Sequence, residues 1–107
     1  MEDIVIGIKV KKTNIRAKTT SAGDGALRLD AEKIAVDFFN GQYKYHFSQG
    51  QGLLDGGSPI DVEMTIRLNG NRFVESHAFD IKDQIERELK KKANVRIIDK
   101  TGNVTVV

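Results

Sequence analysis

Two alternating runs of apolar residues meet at Asn40-Gly41, IAVDFF on one side and QYKYHFS on the other, and this junction constrains the chain more than any other feature. A two-residue Asn-Gly link marks a tight hairpin, because both central residues take positive φ, which Asn tolerates and Gly adopts freely. The reading is an antiparallel pair over 34–48 and hence a β-rich domain. Its second arm sorts Tyr43, Tyr45 and Phe47 to one face and Gln42, Lys44 and His46 to the other, giving a half-wet strand.

Period-two patterning recurs elsewhere. From Ile4 to Lys12, Ile4, Ile6, Ile8 and Val10 alternate with Val5, Gly7, Lys9 and Lys11, and the uncharged Val5 and Gly7 suit an interior strand covered on both sides. A second extended piece follows over Asn14 to Thr20, then an exposed connection over Thr19 to Ala26, then a short strand at Leu27 and Leu29. Ile60 to Leu68 alternates most strictly, with Ile60, Val62, Met64, Ile66 and Leu68 on one side. Asn69-Gly70-Asn71 supplies a further hairpin turn, with a return arm from Arg72 to Glu75.

One helix is expected. Asp80 caps it, Ile81, Ile85 and Leu89 form its apolar stripe, Glu86 with Lys90 and Glu88 with Lys92 form i,i+4 pairs, and it runs through Ala93 to a left-handed Asn94. Val95 to Val107 then reads as a final hairpin turning at Lys100-Thr101-Gly102-Asn103 and pairing into the sheet. The expected fold is a single α+β domain over 1–107: a mainly antiparallel sheet of about six to eight strands built from hairpins, one amphipathic helix at about 80–93 on one face, and a C-terminal hairpin.

A length of 107 residues with 39% apolar content suits one modest core. Seventeen Lys and Arg against fifteen Asp and Glu leave a net charge of +2, a weak overall field. With no cysteine, disulfides and thiolate metal sites are excluded. The start, Met1-Glu2-Asp3, is acidic where a signal peptide is basic, and Ile4 to Ile8 is too short to enter a membrane, so a cytoplasmic protein without membrane contact is expected.

Catalytic groupings are missing. His46 falls on the polar side of its strand beside Lys44, and His77, between Phe73 and Phe79, reads as a packed side chain. There is no Gly-x-Ser-x-Gly elbow, no His-Glu-x-x-His and no calcium-loop spacing, and Asp24 and Asp55 among their glycines are explained by turn preference. Gly50-Gln51-Gly52 precedes a strand instead of a helix, which is the wrong context for phosphate cradling. Neither an enzyme nor a cofactor is expected.

Two features point to binding. Lys9, Lys11, Lys12, Arg16 and Lys18 place five positive charges in ten residues with no acid among them, a candidate anion or nucleic-acid patch. Ser48 to Pro59, with four glycines and the only proline, is a long link whose Gln49, Gln51, Leu53, Leu54 and Asp55 form a candidate contact loop. The favoured reading is a non-enzymatic interaction or assembly module whose partner is a protein or a second copy, a homo-oligomer joined through sheet edges. The alternative is a small nucleic-acid-binding accessory protein using the Lys9 to Lys18 strands. Whether the basic strand and the Ser48 to Pro59 loop share a face decides how much credit a binding site deserves.

Overall fold

The computed structural model describes residues 3–11, 26–39, 44–48, 52–68 and 75–107. In chain order the elements are β1 (Asp3–Lys11), α1 (Ala26–Phe39), β2 (Lys44–Phe47), β3 (Leu53–Leu54), β4 (Val62–Leu68), α2 (Glu75–Leu89), β5 (Ala93–Ile98) and β6 (Val104–Val106). Six strands form one sheet in the order β2-β1-β4-β5-β6, with β3 paired to β1 beyond the end of β2.

The sheet is mixed, not mainly antiparallel, and it carries two helices, not one. β1 pairs in parallel with β2 and β3, β4 pairs in parallel with β5, and only β1–β4 and β5–β6 are antiparallel. Parallel neighbours need a crossover, and here each crossover contains a helix. The molecule thus consists of two β-α-β units, β1-α1-β2 and β4-α2-β5, set side by side through the antiparallel β1–β4 seam.

The expected hairpin over 34–48 is replaced by a helix followed by a strand. Ile34 to Phe39 belongs to α1, as does the expected strand at Leu27 and Leu29. The reason lies in a longer period: Leu27, Ala31, Ile34, Ala35 and Phe39 are all buried, and their spacing of four, three, one and four draws one helical face. Val36 and Phe38, which made the segment look like a strand, are partly buried at the margins of that face. The Asn40-Gly41 link, the extended piece at Asn14 to Thr20, most of the connection up to Ala26 and the Asn69-Gly70-Asn71 turn lie outside the described residues. So do Arg72 to Val74 of the expected return arm; Glu75, its last residue, opens α2.

The second helix starts at Glu75, five residues before Asp80, and buries Ala78, Ile81 and Ile85. It ends at Leu89, and Lys90, not Asn94, takes the left-handed conformation, with φ of 57°. Ala93 and Asn94 belong to β5, because Ala93, Val95 and Ile97 must alternate into the core. Among the described residues the i,i+4 ion pair of this helix is Asp83 with Arg87 at 3.1 Å, not Glu86 with Lys90 or Glu88 with Lys92, and Glu86 instead accepts the Ala93 amide at 3.0 Å and so joins helix to strand.

Other expectations hold. β1 alternates as read, with Ile4, Ile6, Ile8 and Val10 buried, and it lies inside the sheet. Its second face is the uncovered one, so Val5 and Gly7 are only partly buried. β4 buries Val62, Met64, Ile66 and Leu68 as read, but it starts at Val62, and Ile60 lies before it, partly buried. The final hairpin forms as expected: Gly102 sits at φ of 91°, its amide bonds the Asp99 carbonyl at 3.0 Å, and Asp99 N donates to the Asn103 carbonyl at 3.0 Å. That is the pattern of a three-residue hairpin loop closed by a left-handed glycine.

All buried apolar side chains belong to one cluster between the sheet and the helices. Each fully buried Ile, Val or Met there contributes about 1.5–3 kcal/mol relative to exposure. Both helices lie on that one side of the sheet. The other side has no helical cover among the described residues.

Candidate functional site: the uncovered face of the sheet

Cross-strand register shows which residues share the uncovered face. One row runs His46, Val5, Arg67, Ile98 and Val104 from β2 to β6. The next holds Gly7, Thr65, Arg96 and Val106, and a third holds Lys9, Glu63 and Asn94. Over the middle of these rows lies a shallow cavity of about 370 Å³, lined by Lys9, Ser48, Glu63, Thr65, Arg67 and Arg96 among others.

Its floor is open because position 7 is glycine. A Cβ there would stand 2.9 Å from the Ser48 hydroxyl, which lies over β1 where its backbone amide bonds the Ile6 carbonyl at 2.9 Å. Glycine within a strand commonly marks such a close approach.

Charge on this face is mostly positive. Arg96 pairs with Glu63 at 3.8 Å, and Lys11 pairs with Asp61 at 3.5 Å. No ion pair joins Lys9 or Arg67 to a carboxylate among the described residues, and both side chains are exposed. The two helices hold four Lys and Arg against eight Asp and Glu, a net charge of −4, so of the chain's +2 everything outside the helices carries +6. The helical layer is thus acidic, and the positive charge of the chain lies outside it.

The edge of β1 is shared by two short strands with a gap between them. β2 pairs with Asp3 to Ile6 and β3 with Val10 and Lys11. Arg28 of α1 closes the gap: its guanidinium donates Nη1 to the Ile8 carbonyl and Nη2 to the Gly52 carbonyl, the latter at 3.2 Å. One side chain therefore satisfies an acceptor of β1 within the break and another just before β3.

Of the basic patch, Lys9 and Lys11 alternate onto the uncovered face, while Lys12, Arg16 and Lys18 lie outside the described residues. Of the contact loop, Gln49 and Gln51 lie outside them, and Leu53 and Leu54 form β3. Asp55 builds a turn, accepting the Gly57 amide on its carboxylate at 2.8 Å and the Ser58 amide on its carbonyl at 3.0 Å. Gly52 and Ser48 line the same cavity as Lys9, so the basic strand and the flanks of the loop do share one face.

Sequence reasoning missed Arg67 and Arg96. Each sits at a polar position of an alternating strand, and the signal was the parity that puts them in register with Val5 and Gly7. Lys44 and His46 take the uncovered side of β2 as read, and Tyr45 and Phe47 take the helix side, their rings 5.8 Å apart at 66°. His77 packs edge-on against Phe38, centroids 5.6 Å apart at 74°.

Among the described residues no group of three or more His, Cys, Asp or Glu side chains could hold a metal ion, and no helix is long and apolar enough to cross a membrane. The chain matches no family model, no curated protein and no solved structure.

Proposed function

We propose that this protein is a non-enzymatic assembly module that joins a second copy of itself edge to edge through β6. The observation that carries the reading is the outer edge of β6. Val95 and Val107 exchange backbone hydrogen bonds at 3.2 and 3.1 Å, and Asp99 N bonds the Asn103 carbonyl at 3.0 Å. In an antiparallel ladder bonded pairs alternate, so Thr105 bonds Ile97, and the N–H and C=O groups of Val104 and Val106 point away from β5.

No strand pairs with that edge among the described residues. Natural sheets guard free edges with charge, brevity or interruption. The opposite edge is guarded: it is split between β2 and β3 and carries the exposed Lys44. β6 has no charged residue, and its Val104 and Val106 are 54% and 53% exposed.

The edge is also self-complementary. A two-fold axis normal to the sheet at Thr105 sets Val104 opposite Val106 of the second copy and the reverse, closing both bonded pairs and grouping four valines on the uncovered face. Three residues per copy make a small, transient contact, with a dissociation constant between about 10 μM and 1 mM.

Sedimentation velocity over that range tests it together with two variants. Val106→Pro removes an outward N–H without touching the β5 ladder, and it should abolish the dimer while circular dichroism stays unchanged. Thr105→Cys introduces the chain's single thiol on the axis, and air oxidation should yield a disulfide-linked dimer. A wild type that stays monomeric throughout, or a Val106→Pro variant that associates as the wild type does, would refute the proposal.

A further inference from the structure

We infer that the uncovered face binds the phosphate backbone of single-stranded nucleic acid, through Lys9, Arg67 and Arg96. Three observations on the molecule converge on this. The first is charge complementarity: among the described residues the uncovered face carries Lys9, Lys11, Lys44, Arg67 and Arg96 against Asp61 and Glu63, while the two helices carry −4, so a polyanion is drawn to the first and repelled by the second.

The second is placement. Lys9 and Arg67 lie at opposite ends of the cavity, four residues apart along the β1–β4 ladder, and Arg96 stands one strand over and midway between those rows. At about 3.3 Å per residue and 4.8 Å per strand, the three Cα atoms are spaced by about 8 to 14 Å. With long side chains around one open cavity, that spacing lets the three cations meet successive phosphates of a flexible chain. Arg96 already holds a carboxylate, Glu63, at 3.8 Å, and this partly exposed pair can open toward a competing phosphate.

The third is the form of the surface. Among the described residues the site is a shallow, open hollow on the strands, with hydroxyls from Ser48 and Thr65 and a glycine floor at Gly7. The described aromatic residues of β2 next to it, Tyr45 and Phe47, turn to the helix side. Among the described residues no aromatic side chain offers that face a stacking platform, so binding through Lys9, Arg67 and Arg96 should be indifferent to sequence and governed by salt.

The magnitude follows from the number of cations. Three phosphate contacts on a single strand give a slope of about −2 in log affinity against log salt, which is about a 20-fold loss between 50 and 200 mM. Arg67→Gln leaves two contacts and a loss of about 7-fold, and Lys9→Gln with Arg67→Gln leaves about 3-fold.

The test is fluorescence anisotropy of a labelled oligothymidylate at several salt concentrations, with a polyglutamate peptide of equal charge beside it. Lys33→Gln, on the opposite side of the sheet in α1, serves as control. Lys9, Arg67 and Lys33 are exposed, so all variants should keep the wild-type thermal midpoint. Stepwise flattening of the salt slope at Arg67 and Lys9, with Lys33→Gln behaving as wild type, supports the inference. No binding at 50 mM salt, an equal effect of Lys33→Gln, or polyglutamate binding as tightly as the oligonucleotide would overturn it.

Discussion

Arg28→Met should loosen the β1 edge before the rest of the fold. The substitution keeps most of the unbranched aliphatic stem of the side chain and deletes its guanidinium, so it removes the hydrogen bonds to the Ile8 and Gly52 carbonyls while sparing most of the packing. A hydrogen bond to a charged group is worth about 1.5–3 kcal/mol. The two do not simply add, because Gly52 is only partly buried and water can replace its partner, whereas Ile8 is fully buried. The expected loss is about 2–3 kcal/mol.

For a domain of this size that corresponds to a fall in melting temperature of about 10 to 20 °C. Urea unfolding followed by circular dichroism measures the loss. Amide hydrogen exchange locates it: protection at β3 and at Lys9 to Lys11 should drop well below that of β4 and β5, since only the former lean on the bridge. Arg28→Lys, with one compact donor group, should fall between. An Arg28→Met protein within about 0.5 kcal/mol of wild type, or one with uniformly accelerated exchange, would refute the assigned role.

Three further outcomes are expected. Gly7→Ala places a Cβ 2.9 Å from the Ser48 hydroxyl, so it should destabilise by about 1 kcal/mol and weaken oligonucleotide binding, and the added variant Ser48→Gly should restore stability; a Gly7→Ala protein as stable as wild type would contradict the close approach. Lys90→Gly relieves a left-handed backbone at the end of α2 and should raise unfolding free energy by up to about 1 kcal/mol in urea titration, and a loss would contradict it. Hydrogen bonds to the Asp99 carboxylate, from the Thr101 hydroxyl foremost and then from the Asn103 and Thr101 amides, hold its pKa below the ordinary aspartate value. Its contribution is therefore complete above about pH 3.9 and is lost as pH falls through the lowered folded value; Asp99→Asn should flatten the acid limb of the stability profile there, and parallel profiles would refute this.

The strands were largely legible in the residues, and the connections were not. β1, β4 and the β5–β6 hairpin each carry a strict two-residue period or a turn whose chemistry is local, as with Asp99 to Asn103. α1 was misread because Ile34, Val36 and Phe38 satisfy the strand period while Leu27, Ala31, Ile34 and Ala35 satisfy the helical one, and only burial arbitrates between them. Once α1 is taken for strands, the crossover vanishes and the sheet reads as antiparallel. The candidate site was half visible for a related reason: Lys9 and Lys11 lie two residues apart in one alternating run, whereas Arg67 and Arg96 join them only through pairings β1–β4 and β4–β5 that no local pattern specifies.

The β1–β4 seam divides the chain into two β-α-β units that are contiguous in sequence, with the Gly56-Gly57 turn between them. Cutting the polypeptide at that turn would leave each fragment with its own helix and its own pair of parallel strands. Each severed piece would also expose half of the central pairing and half of the apolar layer, so neither should hold its shape by itself. Mixed in equal amounts, the pieces should reconstitute the domain without a covalent link, which makes this small protein a natural candidate for fragment complementation.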